Sequence, residues 1–308
     1  MMSRSTTPAQ TSSDTNRQRL MGIGLMCAAY ICFTLLDTTA KWLNHSIPTP
    51  QTVWARYVCS VLIITAFINP RSHPGVLRTR RPVLQMIRSM LLFASTVMNF
   101  IAVNYLQLSQ TMTIALATPL LVALFSGPVL GETVGKGRMT AIVIGFLGVL
   151  LVARPGFGGI HPIAILSVIG VCCYAAFALM TRHLAAYDST ETTLVYSGLI
   201  GAVILSFGLP FFWQDPPSTL VWCMMAATGL FGAVGHFCLI LAHRHAPANV
   251  LSPFMYTQLL WMTLSGFIVF GDVPDAFTIA GGLVVAGSGL YLLNRERKRQ
   301  GMIPAAAD

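Results

Sequence analysis

Long apolar runs separated by short polar segments dominate the pattern along this chain of 308 residues. A helix needs about 20 mostly apolar residues to cross a bilayer, and successive runs approach that length. The interruptions carry helix breakers and charges, as in Asn69-Pro70 and Pro274-Asp275. The pattern predicts ten transmembrane helices, called spans one to ten, at 20–43, 50–69, 84–105, 108–130, 138–154, 161–182, 192–213, 219–243, 248–270 and 276–294.

The two ends of the chain differ from the apolar body. Residues 1–19 are rich in Ser, Thr and Gln, which predicts a disordered tail. The run that follows, from Leu20 to Leu36, is too long for a signal-peptide core and lacks a small-residue cleavage site, so we expect it to stay as the first span. A basic tail, 296–308, follows span ten.

Composition identifies lipid as the solvent of this protein. Only 9% of the residues are charged and 55% are hydrophobic. Soluble domains carry about 25% charged residues, so this chain could not cover itself with a water-compatible surface. The net charge of +9 does not indicate nucleic acid, because no basic helix face interleaved with aromatics is present.

The distribution of Lys and Arg predicts the orientation in the membrane. With the N-terminus in the cytoplasm, fifteen of the nineteen fall in cytoplasmic segments. Only Lys41 and Arg154 fall outside, and Arg56 and Arg88 lie within spans. The positive-inside rule therefore favours a multi-pass protein of the inner (plasma) membrane with both termini in the cytoplasm.

The two halves carry matching motifs in the same order. Gly131, followed by an acidic residue, closes span four, and Gly271 does the same for span nine, 140 residues later. Tyr30-x-x-Phe in span one parallels Tyr174-x-x-Phe in span six at an offset of 144. These matches predict two five-helix repeats, 20–155 and 156–295.

An odd number of spans per repeat has a topological consequence. The second copy must enter the membrane from the opposite side, so the predicted fold class is all-α integral membrane, with ten helices as two inverted five-helix repeats. Inverted repeats are typical of secondary transporters, because two related halves can open a shared central site to either face in turn. The alternative is a duplication that only built a stable bundle, as in some channels.

These motifs resemble the drug/metabolite transporter superfamily and, within it, the EamA-type ten-span permeases, over about residues 20–295. The resemblance implies a central cavity formed by spans one to four and six to nine, with spans five and ten packed outside it. It also implies substrates such as riboflavin, S-adenosylmethionine, amino acids and metallophores. One departure is Asp272, where the family pattern has Glu. The residues that carry the resemblance are Ala117-Thr-Pro-Leu, Leu130-Gly-Glu132, Gly148-Val-Leu-Leu-Val, Pro253-x-x-Tyr256-Thr-Gln, Phe270-Gly-Asp272 and the run from Gly282 to Gly289.

Small residues on spans five and ten favour close helix contact. Such residues let two backbones approach, either within one chain or across a homodimer. The residues concerned are Gly145, Gly148, Gly282, Ala286 and Gly289.

Prolines interrupt two spans near the middle of the bilayer. Pro119 in span four and Pro253 in span nine each remove a backbone hydrogen bond and can bend the helix. Carbonyl groups freed at that depth must face protein or water, so the two kinks are candidate cavity walls or hinges. The alternative is a packing kink with no role in transport.

Asp37 is the one carboxylate clearly inside a span, and its cost in lipid demands a partner or a purpose. One interpretation is a structural ion pair with Lys41 or Arg56; the other is a site for proton coupling or for a charge on the solute. Arg56 and Arg88 either attract an anionic group or extend to lipid headgroups. His236 either titrates near neutral pH or hydrogen-bonds across helices.

Depth along the helices, at about 1.5 Å per residue, predicts a set of polar and aromatic side chains near the midplane. Such groups suit a neutral or zwitterionic organic solute held by stacking and hydrogen bonds. The predicted set is Tyr30, Asn99, Thr118, Tyr174, Tyr256, Gln258 and Trp261.

These features predict a secondary transporter of a small organic metabolite, with riboflavin or a similar aromatic compound slightly favoured. No Walker loop is present, so this chain has no motif for ATP hydrolysis. An enzyme is not expected, since no nucleophile with a base and no HExxH motif is found. The cysteines form no CxxC pair, and neither a metal site nor a cofactor is expected. A channel remains the alternative from another class, although no charge ring indicates a filter.

Overall fold

A computed structural model describes residues 8–67, 75–130, 136–153, 163–184, 186–246 and 248–301 of the protein. It is all-helical, and the ten spans follow the order predicted from hydropathy. Eight of the described helices are long and apolar enough to cross a membrane, and span five contains a shorter apolar helix, Met139–Ala153. The spans are Pro8–Leu43, Thr49–Phe67, Pro82–Tyr105, Leu108–Ala115 with Thr118–Leu130, Lys136–Ala153, Ile163–Leu184, Thr190–Phe212, Thr219–His245, Ala248–Leu251 with Ser252–Tyr256 and Thr257–Phe270, and Ala276–Gly301.

The helices of spans one and ten extend beyond the predicted boundaries. Span one begins at Pro8, so residues 8–19, predicted to belong to a disordered tail, are helical. Span ten continues to Gly301, into the predicted basic tail. A helix that leaves the bilayer can continue in water, because its backbone hydrogen bonds are internal. The Gly131-Glu132 motif lies outside the described residues.

Spans four and nine are broken rather than smoothly bent. Span four ends its first helix at Ala115 and restarts at Thr118, with Pro119 in the first turn of the second helix. Span nine passes through a 3-10 turn, Ser252–Tyr256, that contains Pro253. Proline has no N–H to donate and fits the first turn of a helix, where donors have no partner in any case.

The two repeats are interleaved and inverted. Span one packs along span eight as span six packs along span three, and span two contacts span eight as span seven contacts span three. Two further pairings, two with seven and five with ten, join equivalent spans directly. Exchanging the repeats reproduces each of these contacts. Span one starts at one end of the bundle and span six at the other; we call these the inner and the outer end.

Spans five and ten pack against each other within one chain, through their glycines. A Cβ atom added at Gly281 would lie 2.7 Å from the carbonyl oxygen of Gly148, and one at Gly148 would lie 3.0 Å from the oxygen of Gly281. The two backbones are therefore in contact, as small residues permit in lipid. This contact gives the glycines a role that requires no second copy of the chain.

We expect Gly281→Leu to destabilise the pairing of spans five and ten by about 1–3 kcal/mol, because overpacking forces the backbones apart. Thermal unfolding of the purified protein in detergent measures the effect. Gly287→Leu, on the same helix, is the matched control, since a Cβ at Gly287 meets nothing within 4 Å. Equal losses in the two variants would contradict the close contact.

At the inner end, Asp188 joins the loop after span six to the start of span three. Its carboxylate accepts hydrogen bonds from the Arg80 backbone at 2.9 Å, from Gln85 Nε2 at 2.9 Å and from the Thr79 hydroxyl. Burial alone raises the pKa of Asp188, but these hydrogen bonds outweigh it and hold the pKa below the usual value for a carboxyl.

We expect Asp188→Asn to lower the melting temperature at neutral pH and to matter less in acid. A lowered folded-state pKa stabilises the fold above the unfolded pKa of about 3.9, and this contribution is lost as pH falls through the folded-state pKa. The measurement is thermal unfolding across a pH series. Asp215→Asn is the control. The carboxylate of Asp215 accepts a hydrogen bond from Trp213, two residues away, whereas that of Asp188 joins two separate segments. A difference that stays constant down to pH 3 would exclude the linkage.

Candidate functional site

A cavity of about 410 Å³ lies at the interface of the two repeats. Spans one, three, four, six, eight and nine form its wall, and span two adds Arg56. This volume falls within the range of about 300–1,000 Å³ that is usual for small-molecule sites. Of the residues predicted to be functional, the wall includes Tyr30, Asp37, Arg56, Asn99, Thr118, Tyr174, His236 and Gln258.

Each wall helix contributes one stripe at helical spacing. On span one the stripe is Met26, Tyr30, Phe33 and Asp37, at intervals of four, three and four. Residues at such spacing share one face of an α-helix. The other wall spans follow the same rule, with Thr111, Ala115 and Thr118 on span four, Ser167, Gly170 and Tyr174 on span six, and His236, Leu239 and His243 on span eight.

The two broken spans place their breaks beside the cavity. Thr118 hydrogen-bonds the carbonyl of Ala115 across the break in span four, and both residues line the wall. Ser252 and Met255, from the 3-10 turn of span nine, also line it. Irregular backbone at membrane depth is stable where it borders a cavity or is buried in protein. The prolines Pro119 and Pro253 themselves are not among the lining residues.

Aromatic rings form one side of the cavity. Phe33 lies edge-on to the ring of His236 at 5.0 Å and to the ring of Tyr30 at 6.3 Å. Tyr174, on the opposite repeat, packs against Phe177 at 5.5 Å. His236 therefore contacts a neighbouring helix through its ring, and no hydrogen bond of this ring occurs among the described residues. The rings offer stacking surfaces to a flat solute.

One interpretation of the sequence, an ion pair between Asp37 and Lys41, is wrong. Its Oδ1 accepts a hydrogen bond from Asn99 Nδ2 at 3.0 Å. Lys41 instead binds Asp272, with 2.7 Å between Nζ and Oδ2. Arg56 is near enough to attract Asp37 electrostatically, but the two are not within ion-pair distance among the described contacts.

Three predicted residues lie away from the cavity. Tyr256 packs into the core between spans nine and ten, where Gly289 leaves room for its ring. Trp261 is 39% exposed on the outside of the bundle. Arg88 is buried instead of extending to headgroups: it donates to Thr181 and Ser197 at 2.6 and 2.9 Å.

Several lining residues were not predicted from the sequence. Ser95 and Thr96 on span three, Thr111 on span four and Ser167 on span six are small hydroxyl residues, which often hydrogen-bond within their own helix in lipid. Their spacing could have indicated them, because each lies on the same helix face as a predicted residue, one or two turns away. His243, at the end of span eight, also lines the cavity and lies at its mouth.

Polar contacts of span one close the outer end of the cavity, and one of them, between Lys41 and Asp272, joins the two repeats. The lining residues stop at Asp37, one turn before Lys41. Beyond that point Lys41 binds Asp272 and donates to the carbonyl of Leu106 at 3.1 Å, while Asn44 donates to the carbonyl of Phe100 at 2.9 Å.

A local turn brings Asp272 to this position. Gly271 has a φ of 70°, and the amide of Asp272 bonds back to the carbonyl of Gly266 at 3.1 Å. Gly271 itself donates to the carbonyl of Phe267 at 3.0 Å, which is the hydrogen bond of an αL helix cap, and glycine permits this conformation because it has no Cβ. At the inner end, by contrast, the lining residue His243 is exposed. The cavity therefore opens toward the inner end.

Inverted repeats, broken helices and a central cavity closed at one end define a membrane transporter of small solutes. The chain is a member of the EamA-like transporter family, whose model matches residues 20–154 and again residues 161–295.

Relatives of known role cover almost the whole chain. A riboflavin transporter of Vibrio cholerae is 26% identical over 91% of this chain and 95% of its own length. An S-adenosylmethionine uptake transporter of Rickettsia felis is 20% identical, with 93% and 97% covered. The pseudopaline exporter CntI of Pseudomonas aeruginosa is 24% identical, with 86% and 93% covered. A solved crystal structure shares the fold, with a TM-score of 0.62 at 16% identity over 94% of this chain and 99% of that one.

Proposed function

We propose that this protein moves a small ring-bearing organic metabolite, riboflavin or a similar compound, across the inner (plasma) membrane by alternating access. The observation that carries the proposal is the cavity between inverted repeats, lined by Tyr30, Phe33, Tyr174 and His236. A flat solute can stack on these rings while Asn99 and Gln258 supply hydrogen bonds.

The two ends of the cavity support the alternating mechanism. The outer end is closed by the contacts of Lys41, while the inner end is open beside His243. Transport then requires the outer contacts to break as the inner end closes. We further propose that the inner end faces the cytoplasm, since the Lys and Arg residues outside the spans concentrate there.

Uptake by oriented vesicles tests the function. Right-side-out and inside-out vesicles carrying the protein are supplied with radiolabelled riboflavin, S-adenosylmethionine and phenylalanine, beside vesicles without it. We expect saturable, protein-dependent riboflavin flux that unlabelled riboflavin on the opposite side accelerates. If only another compound of the panel is transported, riboflavin is excluded as the substrate, but the assignment as a transporter stands.

A solute with charged groups is the second candidate, and a specific observation favours it. Asp37 and Arg56 both border the cavity, and their charges suit a zwitterion such as an amino acid or S-adenosylmethionine. The same vesicle panel separates the two candidates. A channel is the third possibility: it shows neither saturation nor acceleration by solute on the opposite side, so counterflow distinguishes it from a carrier.

A further inference from the structure

Arg56 is a buried cation on the cavity wall without a carboxylate bound to it. Its exposed fraction is 9%. Ion pairs among the described residues join Lys41 to Asp272 and Arg244 to Glu191, and neither pair includes Arg56. Asp37 attracts Arg56 but does not contact it, and a charge at membrane depth with no counter-ion in contact is costly, which indicates a functional role.

The guanidinium group is held firmly but is only partly hydrogen-bonded. Nη1 donates to Thr96 Oγ1 at 3.0 Å, and the hydroxyl of Tyr57 donates to the same oxygen at 3.0 Å. The rings of Tyr57 and Phe100 lie 4.9 and 5.8 Å from Arg56 Cζ. Nε is buried with no hydrogen-bond partner, and Nη2 makes no hydrogen bond in the described contacts. A guanidinium has five N–H donors, so most of them lack an acceptor.

Arg88 shows how the same fold satisfies an arginine that has no ligand to bind. Its Nε donates to Thr181, and Nη1 donates to Ser197 and to the carbonyl of Thr193. Arg88 does not line the cavity. Arg88 therefore has hydrogen-bond acceptors away from the cavity, whereas Arg56, which lies in the described cavity wall, lacks them.

We propose that Arg56 binds a planar acceptor group of the transported solute, either a carboxylate or the carbonyls of a ring imide. Because Nε has no accessible surface, an acceptor in the cavity would bind end-on at Nη2 and the remaining N–H of Nη1, in charge-assisted hydrogen bonds. Among the contacts of the described residues, Asp37 uses only Oδ1, toward Asn99, which leaves Oδ2 to an N–H group beside the acceptor. This inference rests on the proposed function only in taking the cavity as the solute site.

Binding of small probes to the full-length protein in lipid nanodiscs tests this role without requiring transport. Benzoate presents a carboxylate on a ring, lumichrome presents a neutral ring imide, and benzylammonium presents a ring with no acceptor. Thermal unfolding of the protein is recorded against the concentration of each probe. We expect benzoate or lumichrome, but not benzylammonium, to raise the melting temperature, and which of the two binds tells carboxylate from imide.

Substitutions then assign the effect to Arg56. We expect Arg56→Gln to weaken binding of the stabilising probe about tenfold, and Arg56→Lys, which keeps the charge but loses the fork, to weaken it less. Arg88→Lys is the matched control and should leave the probe affinity unchanged. If Arg56→Gln does not fold, the comparison of Arg56→Lys with Arg88→Lys decides. Absence of stabilisation by both acceptor probes, or equal loss in the Arg56 and Arg88 variants, overturns the proposal; failure of riboflavin uptake overturns only the proposed substrate.

Discussion

Asp272→Asn is expected to shift the protein about 100-fold toward a conformation that is open at the outer end. The change leaves Lys41 in a largely buried position without its counter-ion, since the side chains of Lys41 and Asp272 are 10% and 23% exposed. Breaking a buried ion pair by removing one partner costs about 3 kcal/mol at the low end, and each 1.4 kcal/mol is tenfold. The substitution destabilises the conformation that is closed at the outer end, because the ion pair exists only there. The population of the conformation open at the outer end therefore rises.

Thiol accessibility measures this shift. Ser265→Cys, in a background without the native cysteines, places a thiol beside Thr38, whose hydroxyl contacts Ser265 at 3.0 Å near the closed end. A membrane-impermeant maleimide added from the outer side should label it much faster in the Asp272→Asn protein. The charge swap Lys41→Asp with Asp272→Lys should restore slow labelling.

A second ion pair supplies the control. Arg244 and Glu191 are 3.6 Å apart at the inner end, with side chains 63% and 41% exposed. Exposed pairs contribute about 0–1 kcal/mol, so Glu191→Gln should leave outer labelling unchanged. Slow labelling in Asp272→Asn, or fast labelling in Glu191→Gln, would refute the role of the Lys41–Asp272 pair as the outer closure.

The Lys41–Asp272 pair shows what the sequence could not provide. Spacing along span one made Lys41 the natural partner of Asp37, four residues earlier, because such residues adjoin on a helix. In the structure Lys41 turns to a residue on the other repeat, 231 positions along the chain. Helical spacing describes one helix at a time, whereas this contact depends on how two repeats pack and on the turn at Gly271.

The spans themselves could be predicted because lipid imposes a simple requirement. A segment must be long, apolar and internally hydrogen-bonded to cross a bilayer, and each of these properties is local. The inversion followed from the odd number of spans per repeat. The helix ends were less predictable: Pro8–Leu43 extends well beyond its apolar run, because polar residues can continue a helix in water.

The candidate site could be predicted by depth but not fully by direction. Tyr256 and Trp261 have the depth of the cavity, yet each is one position from a lining residue, Met255 and Met262. One residue along an α-helix turns the side chain by about 100°, since there are 3.6 residues per turn. The 3-10 turn in span nine also alters the rotation, so the face of that span could not be read from periodicity alone.

Asp37→Asn is expected to abolish accumulation driven by a pH gradient while leaving exchange of solute intact. Asp37 borders the cavity, and its hydrogen bond to Asn99 is the kind that either carboxylate or carboxylic acid can accept. We hypothesise that a proton and the solute bind in this cavity together, so Asn, which cannot titrate, should uncouple them. Uptake then falls to the equilibrium level, more than tenfold below the parent where an acid-outside gradient drives accumulation.

Two assays on the same vesicles separate coupling from general damage. Accumulation is measured with and without an imposed pH gradient, and counterflow is measured at equal pH on both sides. Asp215→Asn is the matched control, because it removes an exposed carboxylate in the loop between spans seven and eight. If Asp37→Asn keeps its response to the gradient, the coupling role of Asp37 is wrong. If the variant loses counterflow as well, Asp37 acts in binding the solute, with Oδ2 as the acceptor of an N–H group.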